Sequence, residues 1–109
     1  MTCEDTPSRI TWEVQQLEPC SRVWMCKGYG RATTTAAPAD IASAVLASYL
    51  AVSPPPYGET IRAIVRTDTG DQATATPEQL PGSGWETDPA VRQALPGYLR
   101  QALSDGAAH

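Results

Sequence analysis

The chain has 109 residues, 41% of them hydrophobic and 18% charged, and a formal net charge of −4. That length and composition describe one domain burying roughly 60–70% of its unfolded surface, which excludes a disordered tail. The acidic balance argues against general nucleic-acid coating, since phosphate binding needs clustered Lys and Arg, and no run approaches the ~20 apolar residues of a membrane span.

Phe is absent, so Trp12, Trp24, Trp85 and the four tyrosines must supply the bulky core pieces. Arg provides nearly all the cations, with Lys27 the sole lysine. Residues 1–9 and 104–109 are polar or small and are expected to be flexible ends around a single α+β domain over 10–103, because ordering them would release little free energy. The N-terminus is acidic and lacks the apolar stretch of a signal peptide, so cytoplasmic residence is expected. The bias towards Ala, Arg, Thr and Pro points to a bacterium with a GC-rich genome, or a phage of one.

In chain order, Ile10, Trp12 and Val14 alternate with polar residues at the period-two spacing of a half-buried strand. Pro19 lacks a ladder donor, so 18–21 reads as a loop, and 22–26 resumes as the second strand of a hairpin. Apolar residues on both faces of 22–26 predict a central position. Gly28 and Gly30 then interrupt; inside a strand, glycine marks a bulge or a close backbone approach. Residues 31–35 suit a third strand segment.

Pro38 at a first helical position and Asp40 in the first turn predict a helix from Pro38 to Val52. Ile41, Val45, Leu46, Tyr49, Leu50 and Val52 fall at amphipathic spacing, and the intervening alanines allow close approach to a sheet. The prolines at 54–56 stop it. Residues 60–67 read as a strand in which Arg62 and Arg66 point one way, Ile61, Ala63 and Val65 the other, and Ile64 breaks the alternation. Turn residues at 68–71, with Gly70 left-handed, lead into a short edge strand over 72–76. After a Gly/Pro-rich loop at 77–86, Asp88 and Pro89 start a last helical stretch, kinked or split at Pro96-Gly97. The order is β-β-(β)-α-β-β-α: a small antiparallel sheet with helices on one face.

Candidate chemistry centres on Lys27-Gly28-Tyr29-Gly30-Arg31. Over four positions it resembles the Lys/Arg-Gly-aromatic-Gly opening of the RNA-recognition-motif signature, and the helix and strand that follow agree with that family's order. The resemblance implies base stacking by strand aromatics. The chain departs from it where the second stacking aromatic falls on Arg31 and later apolar and aromatic positions fall on Ala32 and Thr34. Upstream, 10–26 is too short for the strand-helix-strand the family requires. Read from the residues alone, Gly28 to Gly30 is a bulged or turned strand end with Tyr29 covering the core edge; the functional alternative is that Lys27, Tyr29 and Arg31 project from an exposed segment to an acidic partner or a phosphate. In topology only, strand-helix-strand is also similar to small antitoxins of the HicB type.

Trp85, in its Gly/Pro-rich loop, reads either as an anchor for a partner or as a lid folded back over the sheet, the lid being favoured because an exposed Trp is costly. Arg62 and Arg66 on one strand face read as a solvated surface. Cys3, Cys20 and Cys26 lack any Cys-x-x-Cys spacing, so neither a metal nor another cofactor is expected; pairing of Cys20 with Cys26 requires the two hairpin strands to bring them face to face. With His109 the only imidazole, an enzyme is not expected. These readings converge on a non-enzymatic interaction or regulatory module acting through protein contacts, with a second copy among its candidate partners. Nucleic-acid binding through Lys27, Tyr29 and Arg31 is the alternative.

Overall fold

The computed structural model describes residues 7–52, 60–80 and 84–107, with backbone alone for 103–107. The expected tails, the proline stop at 54–56, Cys3, His109 and the side chain of Leu103 lie outside the described residues. Four strands form one antiparallel sheet: β1 (Ser8–Leu17), β2 (Trp24–Thr34), β3 (Ile61–Thr67) and β4 (Gln72–Ala75). Their spatial order is β2-β1-β3-β4. The chain is thus α+β, as its periodicities predict.

β1 sits in the middle of the sheet because its alternation serves two neighbours at once. Ile10, Trp12 and Val14 are buried on one face, opposite Ala32, Gly30 and Gly28 of β2 and Thr67, Val65 and Ala63 of β3. The central position predicted for 22–26 is corrected: β2 is an edge strand, and Val23, Met25 and Cys26 are exposed. The expected third segment after the glycines is the continuation of β2 to Thr34. A register shift between Val14 and Gln15 leaves Lys27 without a β1 partner, a bulge that turns the apolar pattern of 24–26 relative to 28–34.

The β1–β2 turn closes by Glu18 N–H donating to the Val23 carbonyl at 2.9 Å and Arg22 N–H donating to the Glu18 carbonyl at 2.7 Å. Arg22 takes a left-handed φ of 60° there. The Ser21 N–H donates to the Glu18 carboxylate at 2.7 Å, and that bond holds the Glu18 carboxyl below its ordinary range. In the β3–β4 turn Gly70 has φ 99°, the left-handed position its sequence predicts.

The first helix, α1 (Pro38–Val52), lies across the sheet, against β1, β3 and β4. Every residue from 41 to 46 is buried, which a helix with only one covered side cannot achieve. The other sides are covered by a short 3-10 turn at Trp85–Thr87, by α2 (Pro89–Ala94) and above all by α3 (Gly97–Ala107). Alanine and serine permit this enclosure: Ser43 and Ser48 are fully buried, and Ser48 Oγ donates to the Ala44 carbonyl at 2.6 Å, so its hydroxyl enters the core satisfied.

The last helical stretch divides as Pro96-Gly97 predicts. Asp88 caps α2, its carboxylate accepting from Ala90 N–H at 2.9 Å, with Pro89 in the first turn. Leu95 ends α2 in extended conformation, and the Pro96 carbonyl accepts from Leu99 and Arg100 N–H to begin α3. Val91, Leu95, Leu99 and Ala102 are all buried along this stripe. Thr34 ties α2 to the sheet: its hydroxyl donates to the Ala90 carbonyl at 3.3 Å and accepts from Ala36 N–H at 3.0 Å. All the described helices lie on one side. The opposite sheet face carries no helix among the described residues.

Candidate functional site

Two surfaces come from this arrangement, the helix-free face of the sheet and the free edge of β2. On the helix-free face, cross-strand pairing defines the rows. Thr33 lies opposite Arg9; Arg31 and Arg66 both lie opposite Thr11; Tyr29 and Ile64 both lie opposite Glu13; Cys26 and Arg62 both lie opposite Gln15. Ile64 breaks the apolar alternation of β3 because it faces this side, yet it is only 4% exposed. It therefore adds almost no exposed apolar surface to that face.

Arg62 is occupied. Its guanidinium lies 3.8 Å from the Trp24 ring centroid, and its Nε donates to Gln15 Oε1 at 2.8 Å. Arg66 makes a 3.7 Å ion pair with Glu13, half exposed and so weak. Arg9 and Arg31 make no side-chain hydrogen bond or ion pair within the described structure. Together Arg9, Arg31 and Arg66 line a depression of about 480 Å³ with Thr11, Thr33 and Asp68.

A second depression shares Thr11, Arg31 and Arg66 and adds Glu13, Cys26 and Tyr29. Tyr29 is 80% exposed, which corrects the reading that it covers the core edge. The Cys26 thiol is pushed up from its ordinary range, first by partial desolvation and then by the Glu13 carboxylate, so it stays protonated and is a poor nucleophile. Cys20 and Cys26 are both free, exposed thiols. Among the described residues no group of three His, Cys, Asp or Glu side chains is placed to hold a metal ion.

The other surface runs along β2 beyond its bulge. Gly30, Ala32 and Thr33 form one wall of a groove of about 320 Å³, and Ala94, Leu95, Pro96 and Tyr98 form the other. Trp12 lines it beneath Gly30. A Cβ at residue 30 would lie 2.6 Å from Trp12 Cζ2, so glycine is what allows the strand to pass over the indole. Tyr29 and Tyr98, the latter 53% exposed, stand at the rims.

Of the residues singled out from sequence, Tyr29 and Arg31 point to the helix-free face, while Lys27 stands in the bulge, exposed. Trp85 requires correction as a binding candidate. It is 8% exposed and belongs to the core beside α1 and α2, so it closes the helical side and presents no ring to a partner. Arg9 and Tyr98 were not legible as site residues, because only β1–β2 pairing brings the first to Arg31 and only helix docking brings the second to β2. No helix among the described residues is long and apolar enough to cross a membrane. No family model, no curated protein and no solved structure matches the chain.

Proposed function

We propose that the chain is a cytoplasmic, non-enzymatic protein-interaction module that captures an extended segment of a partner along β2. The observation that carries this reading is the groove itself: a sheet edge with no strand partner among the described residues, a helical wall opposite it, and an exposed tyrosine on each rim. An extended peptide pairs its backbone with such an edge and places alternate side chains in the groove. Tyrosines are frequent anchors of protein interfaces.

The edge also states a charge preference. β2 carries Lys27 and Arg31 and no carboxylate, so a partner strand bearing Asp or Glu suits it. Pairing with β2 of a second copy puts cations in one ribbon with nothing to balance them, and the bulge at Lys27 further blunts the edge against promiscuous pairing. A different chain is therefore the favoured partner over a homodimer.

The test is affinity capture with the intact protein and with Tyr98→Ala and Gln93→Glu variants, Gln93 being exposed on the groove's helical wall, followed by hydrogen exchange on the complex. The proposal expects a partner retained by the native chain and lost with both variants, and slowed exchange at β2 amides directed away from β1. Capture that survives both variants, or β2 amides that exchange as in the free protein, overturns it. A concentration-dependent dimer in light scattering, lost on changing Tyr98, would place a second copy on the edge instead.

A further inference from the structure

The helix-free face holds a second candidate site, which shares Tyr29 and Arg31 with the strand-capture edge and adds Arg9, Thr11 and Arg66. The chain is acidic overall, yet three arginines converge on one depression whose only acidic lining residue is Asp68. Their convergence follows from register. Arg31 and Arg66 are the two cross-strand partners of Thr11, one on each side, so their Cα atoms stand about 5 Å from that of Thr11. Arg9 precedes Thr11 by two residues on the same face, ~7 Å along the strand. Three long side chains rooted this way line one depression together with Thr11 and Thr33, whose hydroxyls add hydrogen-bonding groups to it.

Three guanidiniums at this spacing repel one another, and Glu13 offsets only the third, through its long contact with Arg66. An oxyanion placed over Thr11 relieves that repulsion and accepts several charge-assisted hydrogen bonds at once. Arginine suits phosphate best, because its planar fork matches two oxygens together. The neighbouring depression then decides what carries the phosphate. It shares Thr11, Arg31 and Arg66 with the first and continues to Tyr29, whose ring is freely exposed one row away. Tyrosine faces stack on bases without needing a particular one.

We propose that the face around Thr11 binds a nucleotide, with its phosphate held by Arg9, Arg31 and Arg66 and its base laid against Tyr29. Lys27 takes no part, since it stands apart in the bulge. Arg62 takes no part either, being spent on Trp24 and Gln15.

The experiment uses the whole chain and two probes, inorganic phosphate and AMP, followed by NMR shifts and titration calorimetry at low salt. Phosphate is expected to move the resonances of Arg9, Thr11, Arg31, Thr33 and Arg66. AMP is expected to move the same set and Tyr29 as well, and to bind more tightly. Arg9→Ala weakens both probes by about tenfold, the loss of one charge-assisted contact. Tyr29→Ala weakens AMP and leaves phosphate unchanged. Arg100→Ala, on the exposed part of α3, changes neither, and circular dichroism checks that each variant is folded. Failure of both probes to bind at millimolar concentration overturns the site. Equal affinity for the two probes, or an AMP affinity indifferent to Tyr29, overturns the nucleotide assignment. Tyr98→Ala serves as the separator: it removes strand capture and is expected to leave AMP binding intact.

Discussion

Gly30→Ala tests how β2 lies on the core. The added methyl carbon would sit 2.6 Å from Trp12 Cζ2, 2.7 Å from Cε2 and 2.8 Å from Nε1. Carbon atoms in good contact stand about 3.5–4.0 Å apart, so roughly 1 Å must be found. The indole is rigid, Trp12 is 2% exposed, and the ring cannot swing away as a flexible side chain would. Overpacking of this kind costs about 1–3 kcal/mol. Replacing glycine in extended backbone returns about 0.4–1 kcal/mol through the unfolded chain. The net is a loss of about 1–2 kcal/mol, or a Tm lower by roughly 5–15 °C for a domain of this size. Urea unfolding followed by circular dichroism should show a lower midpoint at unchanged slope. The same change made on Trp12→Leu, whose side chain ends short of all three clashing atoms, should cost nothing. A Gly30→Ala protein as stable as the native one would refute the close approach, and with it the geometry of the groove over Trp12.

Gly28→Ala is the contrasting case: its Cβ would meet only Tyr49 Cε2 at 3.6 Å, so the variant should match the native urea midpoint or gain up to about 1 kcal/mol. Thr34→Val removes both the donor to the Ala90 carbonyl and the acceptor of Ala36 N–H; a loss of about 1–3 kcal/mol is expected, with faster amide exchange in α2. Glu18→Gln should lower stability at neutral pH, where the carboxylate accepts the Ser21 N–H. Because folding depresses this carboxyl, its contribution is present above the ordinary carboxylate range and disappears as pH falls through the folded value. Urea midpoints of native and Gln proteins should therefore converge in acid; a gap that stays constant with pH would contradict the bond's role.

Trp12 carries a cost that only the folded chain reveals. Among the described residues its Nε1 is the one buried side-chain nitrogen or oxygen with no hydrogen-bond partner. A buried unpaired donor costs about 1–3 kcal/mol, which the burial of so large a ring offsets. The period-two pattern places Trp12 inward correctly and says nothing about where its indole N–H ends up.

The elements themselves were legible because each rests on neighbours in the chain. Pro38 with the alanine-rich apolar spacing specifies α1; Gly70 specifies a turn; Asp88-Pro89 and Pro96-Gly97 specify where helices start and divide. Propensity, capping and chirality act over a few residues, so a single sequence carries them. The rank of a strand within the sheet does not act locally. The apolar residues of 22–26 suggested a centre, and only pairing with both β2 and β3 put β1 there and left β2 at the edge with its bulge at Lys27. Trp85 likewise has the same local sequence whether it is a lid or an anchor, and docking against α1 decided it. The arginine cluster is the clearest case: Arg62 and Arg66 recur on one strand, yet register gives Arg62 to Trp24 and sends Arg66 to Arg9 and Arg31. Side-chain convergence across strands is a property of pairing between distant segments, and no local preference encodes which segments pair.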